Sequence, residues 1–253
     1  MRYRKSFNEY VKYVEKFDSS EYIGTGNPNA KILIINKELA PCDDADQLTR
    51  ELKNNNSDWK ENSNKSLGYE DVCTYDAEDS INTYNPLYPY NGKILKSERS
   101  GHTWRKLQIL SDMIHNKNAK RADDKFDFHN NFFLTEMSSS PANRDAKSDK
   151  RCITARKEMI LDFDFFDEFK VIIIAGLGCI GLEKKNGEPT SEIEDIFDVT
   201  YRGMEEPVKD QRYWIHTSQD NRRLVIQARQ LKGKIADEYL SEIAKIAKQY
   251  ISK

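Results

Sequence analysis

Four short hydrophobic runs divide the chain, and polar residues follow each run at once. The runs lie in KILIINKELAP from Lys31, NFFLTEMSSSPANR from Asn131, KVIIIAGLG from Lys170 and RYWIHTSQDNRR from Arg212. Unbroken runs of Ile, Leu, Val and Phe are typical of strands buried on both faces, as in a parallel sheet covered by helices. The pattern therefore predicts an α/β fold with a central, mostly parallel sheet of four strands.

Apolar residues at helical spacing predict helices around this sheet. Residues 42–79 turn polar, which favours an insertion with a short helix around 46–52 followed by a mobile loop. We expect a single domain over residues 1–253 that carries this insertion. The predicted helices begin near Phe7, Thr103, Asp149 and Ile235.

Composition narrows the class of protein. The 253 residues are 38% hydrophobic, enough for a sizeable core, and their net charge of −2 gives no general attraction to nucleic acid. The longest apolar stretch, residues 171–175, is too short to cross a bilayer, so we expect a cytoplasmic protein without a membrane segment. The four cysteines form no CxxC pair, which predicts free thiols, no metal and no cofactor.

The residues after each hydrophobic run are the first candidates for chemistry, because parallel sheets bind ligands beyond the carboxyl ends of their strands. Asn36 and Glu38 follow the first run. A carboxylate at Glu38 can orient a water molecule, or it can cap a following helix. His216 precedes several small hydrogen-bonding side chains and is the best single candidate for binding a polar ligand, although a lone histidine is more often structural.

Two further segments offer candidate binding surfaces. The loop INTYNPLYPYNGK is rich in proline and aromatic residues, so Tyr88 and Tyr90 can stack on a planar ligand or fold over the core. Residues 219–234 carry five cations against Asp220 alone. This charge run predicts either a local patch for a polyanion or a solvated helix face.

In their order and spacing, these motifs resemble the uracil-DNA glycosylase superfamily, particularly its divergent bacterial members, from about Gly24 to Gln230. KILIINKELAP is similar to the first strand and water-activating loop of the family. FFLTEMSSSPANR is similar to the second strand with its base-reading residue, and EFKVIIIAGLG to the third strand. YRG followed by YWIHTS is similar to the RG turn and the final His-x-Ser motif. The resemblance implies a three-layer α/β/α sandwich and a monomer that acts in DNA repair.

This resemblance also implies roles for single residues. A nucleotide would leave the base stack, and its base would enter a pocket of the protein. Glu38 would activate a water molecule and His216 would stabilise the departing base. The implied base contacts are Asn36, Tyr88, Tyr90 and Glu136, and the implied DNA contacts are Asn143, Arg144, Ser218, Asn221, Arg222 and Arg223.

Two motifs depart from the family pattern. The first loop, NKELAP from Asn36, lacks the usual glycine, and Glu136 stands where an amide normally contacts the uracil edge. An ionised carboxylate only accepts hydrogen bonds, so it suits cytosine, guanine or adenine derivatives better than uracil. We therefore expect a protein that flips and excises, or binds, a damaged or deaminated base. The alternatives are a non-catalytic nucleic-acid-binding module of the same fold and a nucleotide- or small-molecule-binding protein.

Overall fold

The computed structural model describes residues 3–16, 22–36, 54–72, 85–89, 102–117, 126–138, 150–176, 180, 182–185, 188–204, 207–231 and 235–252. The helices in these ranges are α1 (Lys5–Val14), α2 (Asn55–Lys65), α3 (Tyr69–Val72), α4 (His102–Ile114), α5 (Phe128–Asn131), α6 (Lys150–Asp162), α7 (Asp164–Asp167), α8 (Glu192–Phe197) and α9 (Asp237–Ile251). The strands are β1 (Thr25–Gly26), β2 (Ile32–Asn36), β3 (Phe132–Glu136), β4 (Val171–Ala175), β5 (Leu182–Lys185), β6 (Glu188–Ser191), β7 (Thr200–Met204), β8 (Trp214–Thr217) and β9 (Leu224–Ala228). The four predicted helices are observed as α1, α4, α6 and α9.

Seven of the strands form one mixed sheet in the order β1-β3-β2-β4-β9-β8-β7, and β5 and β6 form a separate hairpin. Neighbours within the group β3, β2, β4 and β9 are parallel. Strand β1 on one side and strands β8 and β7 on the other are antiparallel additions. The predicted α/β class is confirmed, whereas the expected sheet of four strands is wrong, because antiparallel strands extend the parallel group on both sides.

The last predicted strand occupies a different place from the one expected. The run RYWIH becomes β8, which pairs antiparallel with β9, and the fourth parallel strand is β9 itself, with the run LVIQA. A short turn joins β8 to β9, and a connection of that length permits only antiparallel pairing. The residues that follow β8 therefore lie at the amino ends of the parallel strands, where we did not expect them.

Helices cover both faces of the sheet. On the first face, side chains of α4 and α9 pack with Ile34, Ile173 and Ile226. On the second face, side chains of α1, α6 and α7 pack with Leu33 and Ile172. Burial on both faces explains why the parallel strands are continuous hydrophobic runs rather than alternating ones.

Part of the polar segment 42–79 is built into the protein. Trp59 of α2 is fully buried and donates from Nε1 to the carbonyl oxygen of Gly24 at 2.7 Å. Asn55, also fully buried, donates to the same carbonyl at 2.9 Å and accepts from the Gly24 backbone N–H at 3.2 Å. The expected mobile loop is therefore wrong for residues 54–72, because polar side chains there satisfy a neighbouring backbone. The shorter helix predicted before it lies outside the described residues.

The expectations about membrane segments and free cysteines can be compared only with the described residues. None of the helices given above combines the length and the apolar character needed to cross a membrane. Cys152, on α6, is a free thiol. Cys42, Cys73 and Cys179 lie outside the described residues.

Candidate binding site at the carboxyl edge of the sheet

The last residues of the four parallel strands lie in one row across the sheet, which we call the terminal row. In spatial order these residues are Glu136 of β3, Asn36 of β2, Ala175 of β4 and Ala228 of β9. Two polar side chains form one half of the row, and two small apolar side chains form the other. Both alanines are fully buried, so the accessible part of the row is its polar half.

The terminal row lies where the strand connections diverge. The chain leaves β2 towards β3 on one side, and it leaves β4 towards β9 on the other side. In open α/β sheets, ligands bind beyond the carboxyl ends of the strands at such a point of divergence. Asn36 ends β2 and Gly176 follows β4.

Asn36 and Glu136 form a hydrogen-bonded pair at this edge of the sheet. Nδ2 of Asn36 donates to Oε1 of Glu136 at 3.1 Å, and the backbone N–H of Met137 donates to the carbonyl oxygen of Asn36 at 2.9 Å. Glu136 is 9% exposed and Asn36 is half-buried. One of the two amide hydrogens of Asn36 is used in this bond, so acceptor oxygens outnumber the remaining donor in the pair, which suits a ligand that presents N–H groups.

A buried arginine fixes the strand that carries Glu136. Arg156 of α6 is 4% exposed and donates from Nη1 to the Tyr10 hydroxyl at 2.7 Å and from Nη2 to the Thr135 hydroxyl. Thr135 in turn donates to the carbonyl oxygen of Ile23 at 3.0 Å. This network joins α1, α6 and β3 directly behind the terminal row.

Arg156 supports the site but was not among the residues that the sequence motifs indicated. It lies on the buried stripe of α6 between Ile153 and Ile160, at helical spacing. A cation in an apolar stripe of a helix is the sequence signal that could have identified it. An arginine is almost never buried unless its donors are satisfied, so such a residue indicates a buried hydrogen-bond network. Among the described residues no carboxylate forms an ion pair with it, so hydroxyls, a carbonyl and the Phe166 ring, 5.9 Å away, surround the guanidinium.

The four predicted DNA contacts near His216 lie at the opposite, amino edge of the sheet. Thr217 pairs with Leu224, and Leu224 pairs with Val171, the first residue of β4. Ser218, Asn221, Arg222 and Arg223 belong to the turn between β8 and β9. The structure therefore does not bring them together with Asn36 and Glu136.

Polar side chains of this turn form hydrogen bonds within the turn itself. The Ser218 hydroxyl accepts from the backbone N–H groups of Arg222 and Arg223 at 3.1 and 2.9 Å and donates to Asp220 at 2.7 Å. Asn221 has a φ of 54°, a left-handed conformation that asparagine tolerates better than most residues. Small polar side chains are favoured here because they hydrogen-bond the backbone of the turn.

The charges around the turn do not favour a phosphate. Arg223 donates to the carbonyl oxygens of Phe197 and Asp167 at 2.7 and 2.6 Å and pairs with the Asp167 carboxylate at 2.9 Å. Arg222 is exposed and lies 3.5 Å from Asp220. A cavity of about 1040 Å³ beside the turn is lined by more acidic than basic side chains. The acids are Asp167, Glu168, Asp198 and Asp220, and the bases are Lys170, Arg222 and Arg223.

His216 also lies far from the terminal row. Its partner Val225 is three residues before Ala228, and β8 is three strands from β2. At about 3.3 Å per residue and 4.8 Å per strand, the Cα of His216 lies roughly 10 Å along and 14 Å across the sheet from that of Asn36. The expectation that His216 shares an edge with Glu136 is wrong, because β8 runs antiparallel to the strands it was grouped with.

The imidazole of His216 is part of the core on the second face. It is fully buried and lies 5.3 Å from the Tyr201 ring. Burial lowers its pKa, against smaller opposing effects of the Glu194 charge and the Val225 backbone. The residues that actually follow the fourth parallel strand are Arg229 and Gln230.

Tyr88 folds over the core. It is 8% exposed and packs edge-on against Tyr69 at 5.1 Å and His129 at 6.4 Å between ring centroids. Its loop is tied to β1 by a hydrogen bond from the Gly26 N–H to the carbonyl oxygen of Pro86 at 2.7 Å. Of the two alternatives for this tyrosine, the structure shows the packing one.

The remaining candidates, Glu38, Tyr90, Asn143 and Arg144, lie outside the described residues. Within the described ranges, no group of three or more His, Cys, Asp or Glu side chains is placed to hold a metal ion. Comparisons of the chain with models of protein families, with curated proteins and with solved structures return no match.

Proposed function

We propose that this chain is a DNA glycosylase-like protein that binds a flipped nucleobase at the polar half of the terminal row. The observation that carries the proposal is the Asn36–Glu136 pair, held at 3.1 Å on adjacent strands where the connections of the parallel sheet diverge. The sequence resemblance to the uracil-DNA glycosylase superfamily supports the same edge, since the strands in two of its motifs end at these residues.

The hydrogen-bonding groups of the pair favour a base that carries donors. A carboxylate only accepts hydrogen bonds, and the Asn36 amide nitrogen already donates to Glu136. An exocyclic amine, as in cytosine, adenine or guanine derivatives, would donate a hydrogen bond to the carboxylate. The O4 of uracil would instead place an acceptor against the Glu136 carboxylate. We therefore propose an amino-substituted base as the ligand.

Excision of the base is proposed to be a hydrolysis of the N-glycosidic bond. A water molecule attacks C1′ of the deoxyribose, and the base leaves with the bonding electrons and takes up a proton. Glu38, two residues after Asn36, is proposed to accept the proton of the attacking water. Asn143 and Arg144, which follow β3 in sequence, are proposed to contact phosphates of the DNA. His216 has no part in this mechanism.

The position of His216 favours a second candidate, a nucleic-acid-binding module without catalysis. The group expected to stabilise the departing base lies at the opposite edge of the sheet. A site without it retains base recognition by Asn36 and Glu136 but lacks one source of transition-state stabilisation.

A base-release assay separates these functions. Single- and double-stranded oligonucleotides that carry uracil, hypoxanthine, xanthine, an alkylated or an oxidised base, or only normal bases, are scored for strand cleavage at abasic sites and for binding. We expect Asn36→Ala and Glu136→Gln to weaken base-dependent binding or release at least about tenfold, whereas the amino-edge control Arg222→Gln leaves both unchanged. Binding without release would support the module. A panel that is neither bound nor cleaved, or is unaffected by both variants, would contradict both.

A further inference from the structure

A separate groove lies on the antiparallel side of the sheet, between the strands β7 and β8 and helix α9. Its volume is about 450 Å³, within the usual range of small-ligand sites. The base of the groove is apolar and is formed by Tyr213, Ile215 and Leu224, all of them buried. Polar and charged side chains of β7 and α9 line the rest. We call this feature the β8–α9 groove.

Arg202 of β7 lies in the groove, next to an irregularity of the strand. The register of β7 against β8 shifts between Tyr201 and Gly203, so Arg202 is the extra residue of a bulge. Gly203 has a φ of 136°, a conformation that side chains rarely adopt. Bulges re-aim side chains and are frequent next to binding sites. Arg202 lies on the same face of the sheet as Ile215 and Thr217.

The guanidinium of Arg202 is oriented but not neutralised. Its Nε donates to Oγ1 of Thr217 at 2.7 Å, and Thr217 is 4% exposed, so this contact is anchored in the core. In the described part of the chain, Arg202 forms no ion pair with a carboxylate, and its two terminal nitrogens make no hydrogen bond. Arg202 is exposed, so the four donor hydrogens on its terminal nitrogens remain for a ligand.

The other charged residues of the groove do not cancel the charge of Arg202. Lys245 and Glu242 of α9 both line it, 3.7 Å apart with both side chains exposed, which makes a weak ion pair. Tyr250 lies close enough that the charge of Arg202 lowers its pKa, against the larger effect of burial, which raises it. The groove thus combines an apolar base with a local excess of positive charge.

We propose that the β8–α9 groove binds a small organic anion with a flat apolar body. The terminal nitrogens of Arg202 hold its carboxylate or phosphate, whose oxygens match the planar fork of a guanidinium. The apolar body lies over Tyr213 and Ile215. Because Thr217 orients the guanidinium before the ligand arrives, less conformational entropy is lost on binding. This site is independent of the terminal row and of the proposed nucleobase function.

The test titrates the full chain with phenyl phosphate, benzoate, inorganic phosphate and uncharged benzyl alcohol in a calorimeter. We expect phenyl phosphate or benzoate to bind with a Kd of about 1 mM or lower, and the other two probes to bind more weakly. Arg202→Gln is expected to weaken anion binding at least about tenfold, because a charge-assisted bidentate contact is lost. Arg222→Gln, at an exposed arginine outside the groove, is the matched control and leaves the Kd unchanged.

A second variant tests the orientation of the guanidinium. Thr217→Val keeps the shape of the side chain but removes the acceptor for Nε, so we expect binding weakened by a few-fold. Thermal unfolding of each variant shows that it is folded. The proposal is overturned if neither organic anion binds at about 10 mM, or if Arg202→Gln binds them as tightly as the parent. It is also overturned if benzyl alcohol or inorganic phosphate binds as tightly as the organic anions.

Discussion

The two edges of the parallel sheet look alike in sequence, since at each a hydrophobic strand adjoins a polar segment with carboxylate and amide side chains. In the structure they differ in how those polar groups are used. At the amino edge, Ser218 and Asp220 bond the backbone of their own turn, and Arg223 bonds the carbonyl oxygens of two other segments. At the carboxyl edge, Asn36 and Glu136 bond each other through side chains on separate strands.

This difference distinguishes polar side chains that stabilise the fold from polar side chains that are candidates for ligand binding. Polar groups that satisfy nearby backbone are explained by folding alone, because the turn would otherwise leave its N–H and carbonyl groups without partners. The Glu136 carboxylate is paired with a side chain on a neighbouring parallel strand, so this hydrogen bond does not stabilise a turn. It lies where the connections of the sheet diverge, and this is why the carboxyl edge carries our functional proposal.

The largest effect is expected from removing the buried arginine behind the carboxyl edge. Arg156→Ala takes away hydrogen bonds to Tyr10 and Thr135 and leaves a cavity in the core. We expect the free energy of unfolding to fall by about 3 kcal/mol, measured by urea denaturation. The exposed Arg105 of α4 is the control, with an expected change below about 0.5 kcal/mol for Arg105→Ala. A loss below about 1 kcal/mol at Arg156 would contradict the bracing role.

A smaller loss is expected at the amino edge, where Arg223 is a brace of the same kind but is more exposed. Arg223→Ala removes its bonds to Phe197 and Asp167, so the free energy of unfolding should fall by about 2 kcal/mol. Arg222→Ala is the adjacent control and should change it by less than about 0.5 kcal/mol. DNA binding that disappears in Arg222→Ala while the protein remains folded would show that the amino edge is the functional one.

Acidification should destabilise the protein through His129, which precedes β3 near the amino edge. This imidazole is 1% exposed among Trp104 and Phe128, and burial lowers its pKa to about 3. The folded state therefore disfavours the protonated form. The contribution of His129 to stability is complete above the unfolded pKa of about 6.5 and is lost as the pH falls below it, by up to about 1.4 kcal/mol per pH unit.

The pH effect of His129 can be isolated by substitution. We compare the free energy of unfolding at pH 7 and pH 5 for the parent, for His129→Phe and for His129→Leu. The parent should lose about 2 kcal/mol more than either variant over this interval. Equal losses in parent and variants would show that this imidazole is not kept neutral by burial.

The smallest effect is expected in the turn between β8 and β9, where the sequence predicts DNA contacts. Ser218→Ala removes the hydroxyl that accepts from two backbone N–H groups, at a cost of about 1 kcal/mol in the free energy of unfolding. Ser218→Asp keeps an acceptor and should recover part of this loss. A change in DNA affinity without a change in stability would instead assign Ser218 to binding.

The helices were predictable because burial of one face imposes a helical period on the sequence. Several buried strands were predictable because burial of both faces makes them unbroken apolar runs. The stripes of α1, α4, α6 and α9 mark faces that pack on the sheet, and β2, β3 and β4 each begin as an unbroken apolar run because helices cover both faces. Asn36 and Glu136 were also predictable as neighbours, since both end parallel strands. Helix α2 was not, because its polar side chains are buried by hydrogen bonds to distant backbone, which leaves no apolar period.

The sequence by itself determined that β2, β3, β4 and β8 are strands and which polar residues follow them, but it did not mark β1, β5, β6, β7 or β9 as strands. Only the tertiary structure decided at which edge those residues lie. A hydrophobic run is the same whichever way its strand points, so RYWIH carried no sign that β8 runs antiparallel to β9. Direction is set by the turn that joins the strands and by the backbone hydrogen bonds between them, and it placed His216 at the edge opposite Glu136.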